Sequence, residues 1–126
     1  MNTCALVDGR KSKRDILCSF LKELDSNMQV VVMKNSEELF ERLVTDSFTV
    51  LFIHTNTTKE SGIEVLHHIK GEPDLNGRNM HFVIYGDRRT EVSVQAIGGI
   101  FISTDGRTDM FVDRFCATAN AFLKDC

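Results

Sequence analysis

The sequence predicts an α/β domain built on a doubly wound, all-parallel sheet of five strands. Three observations carry that prediction. Short apolar runs rich in Val, Ile and Leu alternate with segments whose apolar residues recur at helical spacing, and they do so five times in 126 residues. The connections are short, and no internal repeat or low-complexity stretch breaks the alternation. The third run, Thr49–Ile53, is apolar almost throughout, as a strand covered on both faces requires.

The elements follow in order. Ala5-Leu6-Val7 is the first strand and ends at Asp8-Gly9. Ser12 is expected to cap the first helix, with Asp15 three residues on completing a capping box. Ile16, Leu17, Phe20, Leu21 and Leu24 then fall on one helical face. Met28–Met33 is a Val-rich second strand. Asn35 caps the second helix with Glu38 at its third position, and Leu39, Phe40 and Leu43 supply the buried side. After the third strand comes a polar loop, His54–Glu60, and then a second capping box, Ser61 with Glu64. The helix it opens carries Ile63, Val65, Leu66 and Ile69, and Gly71-Glu72-Pro73 stops it. Met80–Tyr85 is the fourth strand, and a helix near Thr90–Ile97 follows. Gly98-Gly99 leads into the strand Ile100–Ser103. The last helix begins near Thr108 and buries Phe111, Phe115, Ala119, Phe122 and Leu123.

Parallel β-α units cross over right-handedly, and the economical topology is a flavodoxin-like sheet of order 2-1-3-4-5, one domain spanning residues 1–126. In such sheets ligands bind beyond the carboxyl ends of the strands, at the switch between strands one and three. That places attention on Asp8, Gly9 and the loop from His54.

Composition narrows the function classes. Hydrophobic residues are 42% and charged residues 26%, which excludes a disordered chain. The apolar runs, such as Val50–Ile53, fall far short of the ~20 residues of a membrane span. Fifteen Lys+Arg against eighteen Asp+Glu give a net charge of -3, which argues against a general electrostatic grip on nucleic acid. Cys4, Cys18, Cys116 and Cys126 are scattered, with no Cys-x-x-Cys pair, so no zinc or redox motif is expected. The start of the chain lacks the order of a signal peptide, and reduced thiols in the cytoplasm are the expectation. No Gly-rich phosphate motif, no Ser/His/Asp or Cys/His constellation and no cofactor site is expected.

Several stretches match one family in order and spacing: Leu6-Val7-Asp8, Arg14 and Leu17, Ser61-Gly62-Ile63-Glu64-Val65-Leu66, Pro73, and Ala96 before Gly98-Gly99. Over essentially its whole length the chain resembles the response-regulator receiver domains of two-component signalling, the CheY-like superfamily. That resemblance implies phosphoryl transfer to an aspartate at the end of strand three. It also implies an acidic pair after strand one that holds Mg²⁺, a hydroxyl after strand four and a lysine after strand five. Here Asp8 matches the first acid, and Gly9 replaces the second. His54, eight residues before Gly62, stands at the acceptor position, and Tyr85 at the hydroxyl position before Gly86. Thr104-Asp105 replace the lysine and the proline that follows it, with Ser103 just before.

A lone carboxylate is a poor cage for an ion that wants octahedral oxygen ligation. The resemblance therefore implies a pseudo-receiver: a signalling module without aspartyl phosphorylation or enzymatic activity, holding no metal. It would act on a protein partner, or as a homodimer, with no nucleic acid or membrane bound directly. Tyr85 at the hydroxyl position would hold it in one conformation. By the same resemblance its partner face would include Val92, Gln95, Phe101, Asp105, Arg107 and Arg114.

Other readings stand beside this one. Thr55, Thr57, Thr58, Lys59 and Ser61 precede a helix N-terminus, where free N–H groups favour anions. A flavodoxin-like sensor binding an anion or small metabolite at loop 54–61 is one reading, and a plain polar loop capped by Ser61 is the other. Asp8 is either a residual cation ligand or a strand-end carboxylate bonded to loop amides. His54 is either a phosphoryl acceptor through a ring nitrogen or a packed polar replacement. His67 and His68 point about 100° apart on a helix and cannot chelate one metal together. Arg10, Lys11, Lys13 and Arg14 oppose the helix dipole, and read as a solvated helix start or a surface for an acidic partner.

Overall fold

Alternation with period two decides which side of each strand faces which helical layer. The computed structural model describes residues 3–24, 27–56, 61–76 and 80–123. In chain order the elements are β1 (Thr3–Val7), α1 (Lys11–Leu24), β2 (Gln29–Met33), α2 (Ser36–Leu43), β3 (Val50–His54) and α3 (Gly62–Gly71). Then come α4 (Pro73–Asn76), β4 (His81–Gly86), a 3₁₀ turn (Arg88–Thr90), α5 (Glu91–Ala96), β5 (Ile100–Ser103) and α6 (Thr108–Leu123). The sheet order is β2-β1-β3-β4-β5, every neighbouring pair parallel, as the sequence predicts.

Two apolar layers sandwich the sheet. Ala5, Leu51, Ile53 and Ile84 face one side and pack with Leu39, Val65, Leu66 and Val94 from α2, α3 and α5. Leu6, Phe52, Val83 and Tyr85 face the other and pack with Leu17, Leu21, Phe115 and Ala119 from α1 and α6. Phe52 and Phe115 meet with ring centroids 4.6 Å apart.

The caps of α2 and α3 form as expected: Asn35 Oδ1 accepts from Glu38 N, and Ser61 Oγ accepts from Glu64 N. The start of α1 differs. The helix begins at Lys11, and the Arg10 carbonyl already accepts from Arg14 N at 2.9 Å, so Ser12 lies inside the first turn and is not the cap. Asp8 instead fixes the turn that leads into the helix, its Oδ1 accepting from the amide of Arg10, the residue just before α1, at 2.9 Å. A buried carboxylate needs donors, and the backbone amide two residues on is the nearest supply.

The apolar stripe of α1 is also narrower than its sequence suggests. Leu17 and Leu21 are buried, while Ile16 and Leu24 stay 48% and 38% exposed. Pro73 ends α3 and also opens α4, at the first helical position, where its missing N–H costs no bond. The helix after β4 begins as a 3₁₀ turn capped by Asp87, which accepts from Arg89 N. In α6, Phe115 and Ala119 are buried and Phe111 and Phe122 are half-buried, while the Leu123 side chain and Cys126 lie outside the described residues.

Candidate functional site

Asp8, His54, Tyr85 and Thr104 each follow by two positions a residue of the α1/α6 layer (Leu6, Phe52, Val83 and Ile102), so they fall in one row on the same face. The ladder carries them past the strand ends: Asp8 N donates to Met33 O at 3.1 Å, and Thr104 N to Gly86 O at 2.8 Å. The topology therefore assembles, at the carboxyl edge of the sheet, four of the positions singled out from the sequence.

Asp8 is fully buried, and its carboxylate is saturated. Oδ1 accepts from Arg10 N at 2.9 Å and Arg10 Nε at 3.0 Å. Oδ2 accepts from Arg10 Nη2 at 2.8 Å and from the Tyr85 hydroxyl at 2.7 Å. Arg14 Nη1 adds a bond to the Asp8 carbonyl at 2.9 Å. Asp8 is thus bonded to more than loop amides, and two members of the basic cluster are turned inward onto it. Arg10 is the residue sequence reasoning missed. A visible signal was the run Asp8-Gly9-Arg10, which places a long bidentate cation two residues from a carboxylate with no side chain between.

The site does not fit Mg²⁺. Gly9 supplies no second carboxylate, both Asp8 oxygens are occupied, and the bound guanidinium already neutralises the charge. Among the described residues, no group of three His, Cys, Asp or Glu side chains is placed to hold a metal.

His54 is buried, and its Nδ1 accepts from Asn56 N at 3.2 Å, with the Asn56 carbonyl 3.3 Å from the same nitrogen. Its ring meets the Tyr85 ring edge-on at 5.3 Å. Thr55 is buried too, and its hydroxyl has no hydrogen-bond partner among the described residues. Among the described residues flanking the loop, Gly62 N bonds Thr55 O, Glu64 N bonds Ser61 Oγ, and Asn56 bridges to Ser61, so these groups are engaged within the chain. Thr57, Thr58 and Lys59 lie outside the described residues.

Thr104 is half-buried beside α1 and α6. Of the expected partner face, Val92 is 78% exposed, Gln95, Asp105, Arg107 and Arg114 are exposed, and Phe101 is half-buried. Arg88 reaches Asp105 at 3.5 Å and Arg107 pairs with Asp109 at 2.9 Å. His67 and His68 are exposed, and His68 stacks on Phe40. Cys4, Cys18 and Cys116 are free thiols. No helix among the described residues is long and apolar enough to cross a membrane.

Electrostatics at the site have a clear sign. Burial pushes the Asp8 pKa up, but the bonds from the Arg10 side chain and amide and from Tyr85 together outweigh it and hold the carboxyl below its usual value. Burial, then the Arg10 charge, push His54 down, against the opposing pull of Asp8. Burial, then the Asp8 charge, push the Tyr85 phenol well up, and burial pushes the Cys4 thiol up to about 12.

For Asp8 and His54 the depressed folded values mean stability that is present above the unfolded pKa values, about 3.9 and 6.5, and lost as pH falls through the folded ones. For Tyr85 and Cys4 the raised values mean stability present below about 10 and 8.5, and lost as pH climbs toward the folded ones. Urea unfolding across pH should therefore show a plateau around neutrality and a decline on both sides. Tyr85→Phe should shrink the alkaline decline, and an unchanged alkaline limb would contradict this reading of the phenol.

No protein-family profile and no curated protein sequence matches the chain. Solved structures do match. The phosphorylated cyanobacterial phytochrome response regulator RcpA superposes with a TM-score of 0.84 at 16% identity, covering 99% of this chain and 96% of that one. A two-component response regulator from Clostridium difficile gives 0.77 at 16% identity, covering 98% and 97%. The chemotaxis response regulator CheY4 of Vibrio cholerae gives 0.74 at 13% identity, covering 94% and 98%. The chain thus has the fold of response-regulator receiver domains, along nearly the full length of each.

Proposed function

We propose that this chain is a receiver-type signalling module that works without aspartyl phosphorylation, through contact with a protein partner. The observation that carries the reading is the saturated Asp8 carboxylate. A phosphorylatable receiver needs that carboxylate open to a divalent cation, whereas here Arg10 and Tyr85 hold both of its oxygens. His54 at the end of β3, where the resemblance would put the acceptor aspartate, supports the same reading, as does the likeness in fold to signalling receivers. In this proposal the chain is not an enzyme and works in the cytoplasm. Tyr85, bonded across the sheet to Asp8, holds one conformation where a receiver would switch between two. The exposed side chains of Val92, Gln95, Arg107 and Arg114, with Phe101 and Asp105, form the surface offered to the partner or to a second copy.

The test is intact-mass spectrometry after incubation with Mg²⁺ and acetyl phosphate, without acid quenching, so that a labile phosphohistidine survives. The expected spectrum shows the unmodified mass. A single phosphoryl adduct would overturn the proposal, and its loss in His54→Ala or Asp8→Ala would name the acceptor.

A further inference from the structure

Between α1 and α6, at the carboxyl edge of the sheet, lies a groove of about 300 Å³. Its walls are apolar: Ile16 on α1, half exposed, faces it, as does Phe111 on α6. Its mouth is polar, formed by Arg10, Lys13, Thr104 and Thr108, and no carboxylate lines it. Lys13 pairs with no carboxylate among the described residues. Arg10 spends Nε and Nη2 on Asp8, which leaves Nη1 as the guanidinium nitrogen not engaged there. Neither the Thr104 nor the Thr108 hydroxyl is hydrogen-bonded among the described residues.

We infer that this groove binds a small organic anion, an apolar body carrying one carboxylate or phosphate. The volume sits at the lower end of small-molecule pockets and suits a single ring or a short chain. The apolar walls take the body, which gains by leaving water. The anionic head meets Lys13 and the outer edge of Arg10, with two hydroxyls as further donors. Charge complementarity sets the sign of the ligand: Arg10 is already balanced by Asp8, but Lys13 adds a positive charge and no acid lines the mouth. The site is separate from loop 54–61 and does not depend on the signalling proposal.

Phenylbutyrate is the probe, with its uncharged amide as the matched neutral body, read by amide-resolved NMR. Saturable shifts should centre on Lys13, Thr104, Thr108 and Phe111, and the amide should bind at least about tenfold more weakly. Lys13→Glu should weaken phenylbutyrate by a similar factor. Lys11→Glu makes the same charge change on an exposed residue outside the groove and should leave binding nearly intact. Both lysines are exposed, so neither variant threatens the fold. The inference is overturned by no saturable shift, by equal binding of the amide, by equal loss in both variants, or by shifts centred on Ser61 and Gly62. An inorganic phosphate titration run alongside tells a bare anion from an amphiphilic one. If phosphate alone binds as tightly as phenylbutyrate, the apolar walls contribute nothing and the inference fails.

Discussion

Asp8→Ala should lower the stability of this domain by about 3 kcal/mol and its melting temperature by roughly 10 °C. The change leaves the Tyr85 hydroxyl buried without its acceptor, a loss of about 1.5–3 kcal/mol for a bond to a charged group. It also removes the acceptor of the Arg10 amide just before α1, a bond worth about 1 kcal/mol. The Arg10 guanidinium adds less, because that side chain is 45% exposed and can turn to water. Asp8→Asn should be almost as damaging, since its amide presents a donor where Arg10 and Tyr85 also donate. Combining Asp8→Ala with Tyr85→Phe should cost clearly less than the sum of the two, because the second change removes the group that the first orphaned. A loss below about 1 kcal/mol for Asp8→Ala by urea unfolding would mean that the cluster contributes little to holding the fold.

Gly86→Ala should be of similar size, for reasons of shape. Gly86 has φ +148°, a backbone conformation that residues with a side chain rarely adopt. A Cβ there would collide with Thr55 Oγ1 and would lie 2.8 Å from Cγ2 and 3.0 Å from Cβ of the same residue. Rotating Thr55 cannot clear all three atoms. Strain and overlap together should cost about 3 kcal/mol. Thr55→Ala on its own should be close to neutral, because the hydroxyl it removes is buried without a hydrogen bond. The double variant should recover roughly half the loss, the share due to overlap, and keep the share due to φ. If Thr55→Ala restores nothing, backbone strain accounts for the whole effect.

The parts of the fold that were legible in the sequence are those with a local cause. The α2 cap needs only Asn35 and Glu38, three residues apart, and β3 declares itself by four consecutive apolar residues, Val50–Ile53, covered on both faces. The row of Asp8, His54, Tyr85 and Thr104 was legible as well, because strand ends and pleat parity place it. What the row does was not. Ser12 and Asp15 make a valid capping box, yet the bonds that Asp8 makes to Arg10 fix the turn before Ser12, and α1 starts at Lys11, two residues earlier than that box implies. Arg10 and Arg14 look like a solvated charge cluster until the position of Asp8 is known in three dimensions. The Tyr85–Asp8 bond joins residues 77 positions apart, which no local pattern reports. The groove between α1 and α6 is equally non-local, since its walls come from opposite ends of the chain.

The Asp8 counter-charge sits only two residues along the same backbone. A dissolved cation reaches a carboxylate in proportion to its free concentration, but Arg10 is tethered at an effective concentration of order millimolar or more. It cannot be removed by a chelator or displaced by dilution. The neutrality of this pocket is therefore translated with the chain, and magnesium supply has no hold on it. Tyr85 stands at the other extreme, since its bond to Asp8 forms only when strands one and four have been brought into a single sheet. The two ligands of one carboxylate thus report opposite stages of assembly: Arg10 is at hand in the unfolded chain, and Tyr85 arrives when topology is complete.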